Sequence, residues 1–130
     1  MRRVDRSRDQ GSAIAEFVMV SGLVLLLGVG VFQLGLALYV RNTLISCASE
    51  GARLGARADS SPAEGADRAR DLIARSLSAA YAQGVVATTT TTSAGVRVVD
   101  VSVTAPVPVI GLLGPTGTMT VQGRAFVESQ

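Results

Sequence analysis

The sequence predicts an α+β protein: a long N-terminal transmembrane helix that continues as a stem, a second amphipathic helix, and a small antiparallel β-hairpin or sheet. Three observations predict this order. No charged residue lies between Glu16 and Arg41. A helix-breaking and helix-starting signal follows at residues 59–64, and apolar and polar residues alternate after Val96. Phe17 to Val40 is therefore the predicted transmembrane segment, because a membrane-crossing helix needs about 17–25 mostly apolar residues.

Residues 1–11 form a basic leader ahead of this segment. The leader contains four arginines and two aspartates: Arg2, Arg3, Arg6, Arg8, Asp5 and Asp9. It therefore holds the whole formal net charge of +2, so the high pI does not indicate a nucleic-acid-binding surface. Arginine accumulates on the cytoplasmic side of membrane helices. We expect a single-pass protein of the cell membrane with its N-terminus in the cytoplasm and its C-terminus outside.

The helical pattern continues beyond Arg41, which predicts a stem. Small or apolar residues recur every four positions and would share one face of a helix: Leu44, Ala48, Ala52 and Ala56. Gly51 and Gly55 have the same spacing and would let another backbone approach closely. Glu50 precedes Arg53 and Arg57 at spacings that allow ion pairs along the helix. We expect one helix from about residue 12 to residue 57.

A second amphipathic helix is predicted over about residues 62–82. Ser61 is a good N-cap, Pro62 suits the first helical position, and Glu64 completes a capping box. One face is apolar: Ala66, Ala69, Ile73, Leu77 and Ala80. The charges outside that face are interpreted as a solvated surface: Arg68, Arg70, Asp71 and Arg75. Gly84 is expected to end the helix.

The C-terminal third has the pattern of β-structure. The Thr88–Thr92 run is compatible with either a strand or an exposed polar linker. Residues 96–104 alternate strongly, with a slip at Val98 and Val99 that indicates a bulge. Residues 105–117 form a loop rich in proline and glycine, and residues 118–127 alternate again. In that last segment one side is shared by Met119, Val121, Gly123, Ala125 and Val127.

The residue types argue against catalysis. The chain has no histidine and a single cysteine, Cys47, which is most simply a small buried residue. No nucleophile–base pair, metal-ligand cluster or phosphate-binding loop can be assembled, so we expect no enzyme activity, no cofactor and no metal. Glu16 is the one residue whose position demands an explanation, because a carboxylate at the edge of an apolar helix is costly in lipid unless it is partnered. The helix N-terminus is expected to offer it some compensation.

The segment around Glu16 resembles a known family. Gly11, followed by Glu16-Phe17 directly ahead of a long apolar helix, is similar to the leaders of type IV pilin-like proteins. The wider pattern, from Gly11-Ser-Ala-Ile-Ala-Glu-Phe through residues 35–42 to Glu50-Gly-Ala-Arg53, resembles the TadE family of minor pilins. That family belongs to tight-adherence (Flp-type) pilus systems, and the resemblance covers about residues 11–57.

The resemblance implies roles for four residues. A prepilin peptidase would cut after Gly11, making Ser12 the new N-terminus and Glu16 the fifth mature residue. Glu16, followed by Phe17, would act in assembly by neutralising the terminal amine of a neighbouring subunit. The implied partners are the prepilin peptidase, the major pilin and other minor pilins, the inner-membrane assembly platform and the lipid bilayer.

Three domains and three functional hypotheses follow. The domains are the leader at 1–11, the transmembrane helix and stem at 12–57, and a small extracytoplasmic head at 58–130. The first hypothesis is a minor pilin, or pseudopilin, or a membrane assembly component of the pilus. The second is a membrane-anchored adhesin or ligand-binding subunit in which Glu16 is incidental. The third is a secreted protein cut near Ala37.

Overall fold

The computed structural model describes residues 6–109 and 117–128, with side chains described from residue 11 onward. Helix α1 spans Arg6–Gly55 and helix α2 spans Pro62–Ser76, followed by a short 3₁₀ turn at Ala79–Ala82. Three strands follow: β1 (Gly84–Thr91), β2 (Arg97–Pro106) and β3 (Thr118–Phe126). The predicted α+β class and element order are confirmed. Residues 1–5 of the leader and residues 110–116 of the proline- and glycine-rich loop lie outside the described residues.

The chain divides into two compact units, Met1–Gly35 and Leu36–Gln130. The second unit contains the hydrophobic core, to which α1 contributes its C-terminal part. The predicted stripe on α1 is confirmed, because each of its members is at most 2% exposed: Leu44, Ala48, Ala52 and Ala56. Cys47 is also buried in this core, as a free thiol. The stem is therefore one wall of the core of this unit.

Three glycines allow α1 and α2 to pack with their backbones in contact. A Cβ atom on Gly51 would lie 2.5 Å from the carbonyl oxygen of Gly65 and 2.8 Å from Cβ of Ala69. A Cβ on Gly65 would lie 2.5 Å from the carbonyl oxygen of Gly51 and 3.0 Å from Cα of Gly55. The close approach expected at Gly51 and Gly55 is confirmed, and its partner is α2.

The ion pairs expected along the stem are not formed. Neither Arg53 nor Arg57 pairs with Glu50, and none of these three side chains has an ion pair or hydrogen bond within the described chain. All three are exposed, and an exposed pair on a helix is worth only about 0.2–0.5 kcal/mol. Spacing alone therefore did not determine their conformations.

Helix α2 begins as predicted but ends earlier. The Ser61 backbone N–H donates to the Glu64 carboxylate at 2.7 Å, and the Glu64 N–H donates to the Ser61 hydroxyl at 3.3 Å, completing the capping box. The predicted end at residue 82 is wrong, because Leu77 leaves helical geometry while its N–H still donates to the carbonyl of Ile73 at 2.9 Å. Serines at positions 76 and 78 flank this exit, and serine disfavours helix interiors because its hydroxyl competes for backbone groups.

The prediction that Gly84 ends the second helix is wrong, because Gly84 begins β1. A Cβ atom at Gly84 would collide with the backbone carbonyl of Thr104 on the neighbouring strand. The requirement for glycine here is thus the close approach of two strands. Most of the threonine run lies in β1, which extends to Thr91, so the strand interpretation of that run is confirmed over the strand's length.

The sheet has three antiparallel strands in the order β1-β2-β3. Its inner face packs against α1 and α2, and the side of β3 predicted to be apolar contributes to it through Val121 and Gly123. A Cβ on Gly123 would collide with the α1 backbone at Ala48 and Ser49. The third glycine-dependent contact therefore joins the sheet to α1.

The bulge predicted at Val98 and Val99 is absent. Both residues pair in continuous register with both neighbouring strands. Val99 faces the core and is 1% exposed, whereas Val98 lies on the opposite face and is 5% exposed. The two adjacent valines reflect a middle strand, whose two faces are both covered by cross-strand neighbours. An interruption of the apolar alternation therefore does not distinguish a regular middle strand from a strand with a bulge.

The outer face of the sheet carries a partly buried ion pair. Nε of Arg124 on β3 donates to Oδ2 of Asp100 on β2 at 2.7 Å. Asp100 is 8% exposed, and its Oδ1 atom is buried without a hydrogen-bond partner. At the outer edge of the sheet, Nη2 of Arg70 donates to the Val85 carbonyl of β1 at 2.7 Å. Arg70 thus shields the start of this edge strand.

Candidate membrane and assembly segment

The residues predicted for processing and assembly all lie within α1. Gly11 and Ser12 are helical, so the peptide bond between them lies within a continuous helix. A Cβ atom placed on Gly11 would have no heavy atom within 4 Å. Phe17 is 72% exposed, and Glu16 is exposed beside it. The helix thus presents the four positions on an open surface that a membrane enzyme or another subunit can reach.

Glu16 has no compensating side chain among the residues that the structure describes. Within the described residues no side chain forms an ion pair with its carboxylate. Because α1 begins at Arg6, Glu16 lies about 15 Å from the helix start, calculated from the rise of about 1.5 Å per residue. The helix dipole acts mainly within the first turn, so the compensation expected from the helix N-terminus is missing here. A cut after Gly11 would place a new positively charged terminus one turn from Glu16.

An apolar surface covers α1 on all sides from about residue 14 to residue 32. The segment Gly11–Gly55 is long and apolar enough to cross a membrane, and its most apolar window has a mean hydropathy of 2.3 with none of it buried. Its exposed large apolar side chains are Ile14, Phe17, Val18, Met19, Val20, Leu23, Val24, Leu25, Leu26, Leu27, Val29, Val31, Phe32, Leu34, Leu38 and Tyr39. Burying each of them is worth roughly 1.5–3 kcal/mol. The sum is tens of kcal/mol, which strongly favours an apolar environment for this helix.

The exposed apolar surface ends where the core of the second unit begins. Tyr39 is 59% exposed, but Val40 is 3% exposed and belongs to the hydrophobic core. The last residue of the predicted span, Val40, therefore contributes to the core. Leu44 follows one turn later and is fully buried. The surface available to lipid or to other helices thus reaches no further than about Tyr39.

Two groups of polar residues were not recognised from the sequence. The Asp100–Arg124 pair joins residues that are 24 positions apart in the sequence, and only the pairing of β2 with β3 brings them together. Arg68 of α2 lines an open depression with Arg53 of α1 and with Arg57, which lies in the turn after α1. The sequence had indicated only a solvated face for Arg68. The signal for this second group was the glycine spacing that brings α1 and α2 together.

These features define a class: proteins with one N-terminal helix able to span a membrane and a small α+β domain. Residues 11–53 match the family model described as TadE-like protein. This match confirms the predicted resemblance to the TadE family over these residues. The match contains Gly11, Glu16 and the Glu50–Arg53 motif, whereas α2 and the sheet lie beyond it. No curated protein and no solved structure matches the chain.

Proposed function

We propose that the protein is a non-enzymatic minor pilin, or a membrane assembly component, of a tight-adherence type IV pilus. The observation that carries this proposal is the TadE-like match over residues 11–53. It includes the part of α1 up to about Tyr39, whose large apolar side chains are exposed. In this proposal α1 is anchored in the membrane with the leader in the cytoplasm, and the α+β domain lies outside.

The unpartnered carboxylate of Glu16 gives the assembly step a physical basis. In this proposal a prepilin peptidase removes residues 1–11, and Ser12 then carries a positively charged amine. A buried carboxylate and a buried amine offset each other's loss of hydration, whereas removing one partner of a buried pair costs about 3–5 kcal/mol. The pairing of Glu16 with the amine of a neighbouring pilin subunit would therefore favour assembly.

The processing step is tested by the N-terminus of protein extracted from native membranes. We expect sequencing to begin at Ser12, and Gly11→Val to leave residues 1–11 attached. A side chain at Gly11 meets no atom within 4 Å, and the same is true at Gly22. Gly22→Val is therefore the matched control and should be processed normally. An intact leader on the unmodified protein contradicts the proposal and favours an anchored adhesin, and a terminus near residue 38 favours a secreted protein.

The assembly role is tested by Glu16→Ala. We expect normal membrane insertion, because the change removes a charge from an apolar helix. We also expect at least about tenfold less protein in purified pili or assembly complexes, a factor that corresponds to a loss of about 1.4 kcal/mol. Asp59→Ala is the control, since it removes an exposed carboxylate outside the helices. Unchanged piliation and co-purification in Glu16→Ala would count against charge pairing.

A further inference from the structure

Three arginines line one open depression where α1 and α2 pack together. Arg53 comes from α1, Arg57 from the turn that follows it and Arg68 from α2. The depression has a volume of about 570 Å³. Glu50 and Leu54 complete the lining. With three guanidinium groups and one carboxylate, the lining has a net charge of +2. The glycine-mediated packing of α1 on α2 is what brings these charges together from separate helices.

The positive charge of this depression is not neutralised by the described chain. Arg53 and Arg57 have no ion pair, and the nearest carboxylate of Arg68 is Asp71 at 3.8 Å. Asp71 is held more closely by Arg75, at 2.8 Å. Like charges that line one depression are unfavourable unless an anionic partner binds. The guanidinium group also suits carboxylates, because it can donate two parallel hydrogen bonds.

The position of the depression favours a protein partner over lipid. Arg53 lies thirteen residues beyond Val40, or about 20 Å along the helix at about 1.5 Å per residue. The polar headgroup layer on each side of a bilayer is only about 5–8 Å thick, from the difference between total and hydrocarbon thickness. Glu50 would also repel a phosphate surface but can accept a hydrogen bond from a protein. A mixed-charge lining thus fits a polypeptide with complementary charges.

The acidic residues of α2 are poorly suited to supply this partner from a second copy of the chain. Asp67 is paired with Arg70 at 2.6 Å, and Asp71 is paired with Arg75 at 2.8 Å. Separating these pairs would remove their own interactions before new ones form. A different protein with unpaired carboxylates is therefore the better occupant.

We propose that Arg53, Arg57 and Arg68 form a docking surface for an acidic segment of another protein, with two carboxylates placed to meet the guanidinium groups. This proposal rests on the proposed function in one respect only, which is that the acidic segment of the partner lies on the extracytoplasmic side of the membrane. It depends neither on cleavage after Gly11 nor on the charge of Glu16.

The test places a photo-crosslinking residue, benzoylphenylalanine, at Leu54 of the full-length protein in cells that carry its native partners. Mass spectrometry then identifies the crosslinked peptide. We expect a peptide from another extracytoplasmic protein with at least two Asp or Glu residues. The Arg53→Glu, Arg57→Glu double variant should lower its yield about tenfold or more. Reversing the partner's acidic residues to arginine should restore that yield.

The control is Arg97→Glu, because Arg97 is exposed on β2, forms no ion pair within the described residues and does not line the depression. Arg53 and Arg57 are exposed and have no ion pair within the described residues, so the amount of the double variant in the membrane should be unchanged. The double variant Arg53→Gln, Arg57→Gln provides a milder second test. The proposal is overturned by a crosslinked peptide without acidic residues, by a crosslink to lipid or to a second copy, or by the absence of any crosslink. The N-terminal sequence reports on leader processing separately, so failure of one proposal leaves the other to be judged by its own result.

Discussion

The packing of α1 on α2 makes a quantitative prediction for Gly65→Ala. The new Cβ atom would lie 2.5 Å from the carbonyl oxygen of Gly51 and 3.0 Å from Cα of Gly55. Both are backbone atoms of a helix and cannot rotate away as a side chain can. Overpacking of this kind typically costs about 1–3 kcal/mol, whereas alanine restores about 1 kcal/mol of helix propensity. We expect a net loss of up to about 2 kcal/mol in the free energy of unfolding.

The assay is thermal unfolding of the full chain in detergent micelles, followed by circular dichroism of the β-structure. A loss of 1 kcal/mol lowers Tm by about 4–8 °C in a domain of 60–100 residues, so the full loss corresponds to about 8–16 °C. Gly35→Ala is the matched control, because a Cβ there meets no atom within 4 Å. Its effect should lie between neutral and a gain of about 1 kcal/mol, because alanine restores helix propensity there without a clash.

A double substitution strengthens the test. Gly51→Ala places its Cβ against the same contact from the other helix. Once one methyl group has separated the helices, the second should cost less, so Gly51→Ala with Gly65→Ala should destabilise by less than the sum of the single changes. An unchanged or raised Tm for Gly65→Ala, or strict additivity of the pair, would refute the close-packing explanation.

Two further predictions concern polar contacts. Arg124→Met leaves the Asp100 carboxylate, which is 8% exposed, without its hydrogen-bond donor. We expect urea unfolding to show a loss of about 1–3 kcal/mol in the free energy of unfolding, and a smaller loss for Asp100→Asn. A neutral Arg124→Met would contradict a stabilising role of the pair. The pKa of Glu64 is lowered by hydrogen bonds from the Ser60 hydroxyl, the Ser61 N–H and the Ser61 hydroxyl, in that order. Its contribution to stability is therefore complete above the ordinary carboxyl pKa near 4.5 and is lost as pH falls through the lowered value. Glu64→Gln should reduce the fall in Tm between about pH 6 and pH 3, and identical pH profiles would contradict this.

The parts of the fold that were predicted correctly are those with strong local signals. Four-residue periodicity located the buried side of the stem, and the Ser61–Glu64 capping box located the start of α2. The glycine spacing at Gly51 and Gly55 correctly indicated a close backbone contact. Each of these signals depends on residues within one or two helical turns of one another, where geometry is fixed by the helix itself.

The errors arose where distant residues determine the local structure. The role of Gly84 depends on the approach of β1 to Thr104, which lies 20 positions away in the sequence. Adjacent valines at 98 and 99 resembled a bulge because the pattern cannot tell a doubly covered middle strand from an irregular one. In both cases the pairing of distant strands outweighs the local sequence pattern.

The candidate membrane and assembly segment was likewise predicted where the signal is local and missed where it depends on distant residues. The sequence located Gly11, Glu16 and the apolar segment, because a charge beside a long apolar run is visible without any tertiary information. It did not reveal that α1 begins early enough to deprive Glu16 of the helix terminus. It also could not associate Arg68 with Arg53, because only the crossing of two helices brings them to one surface.

The threonine-rich edge of the sheet has a consequence for handling the protein. Strand β1 pairs with β2 on one side only, and Arg70 shields its opposite edge at Val85. Beyond that point, residues 88–91 carry neither charge nor proline, the two features that commonly prevent edge strands from pairing with other chains. A preparation that concentrates this domain away from its normal neighbours should therefore form strand-linked aggregates, and a lysine at Thr90, which faces outward beside the exposed end of the sheet, should keep it soluble.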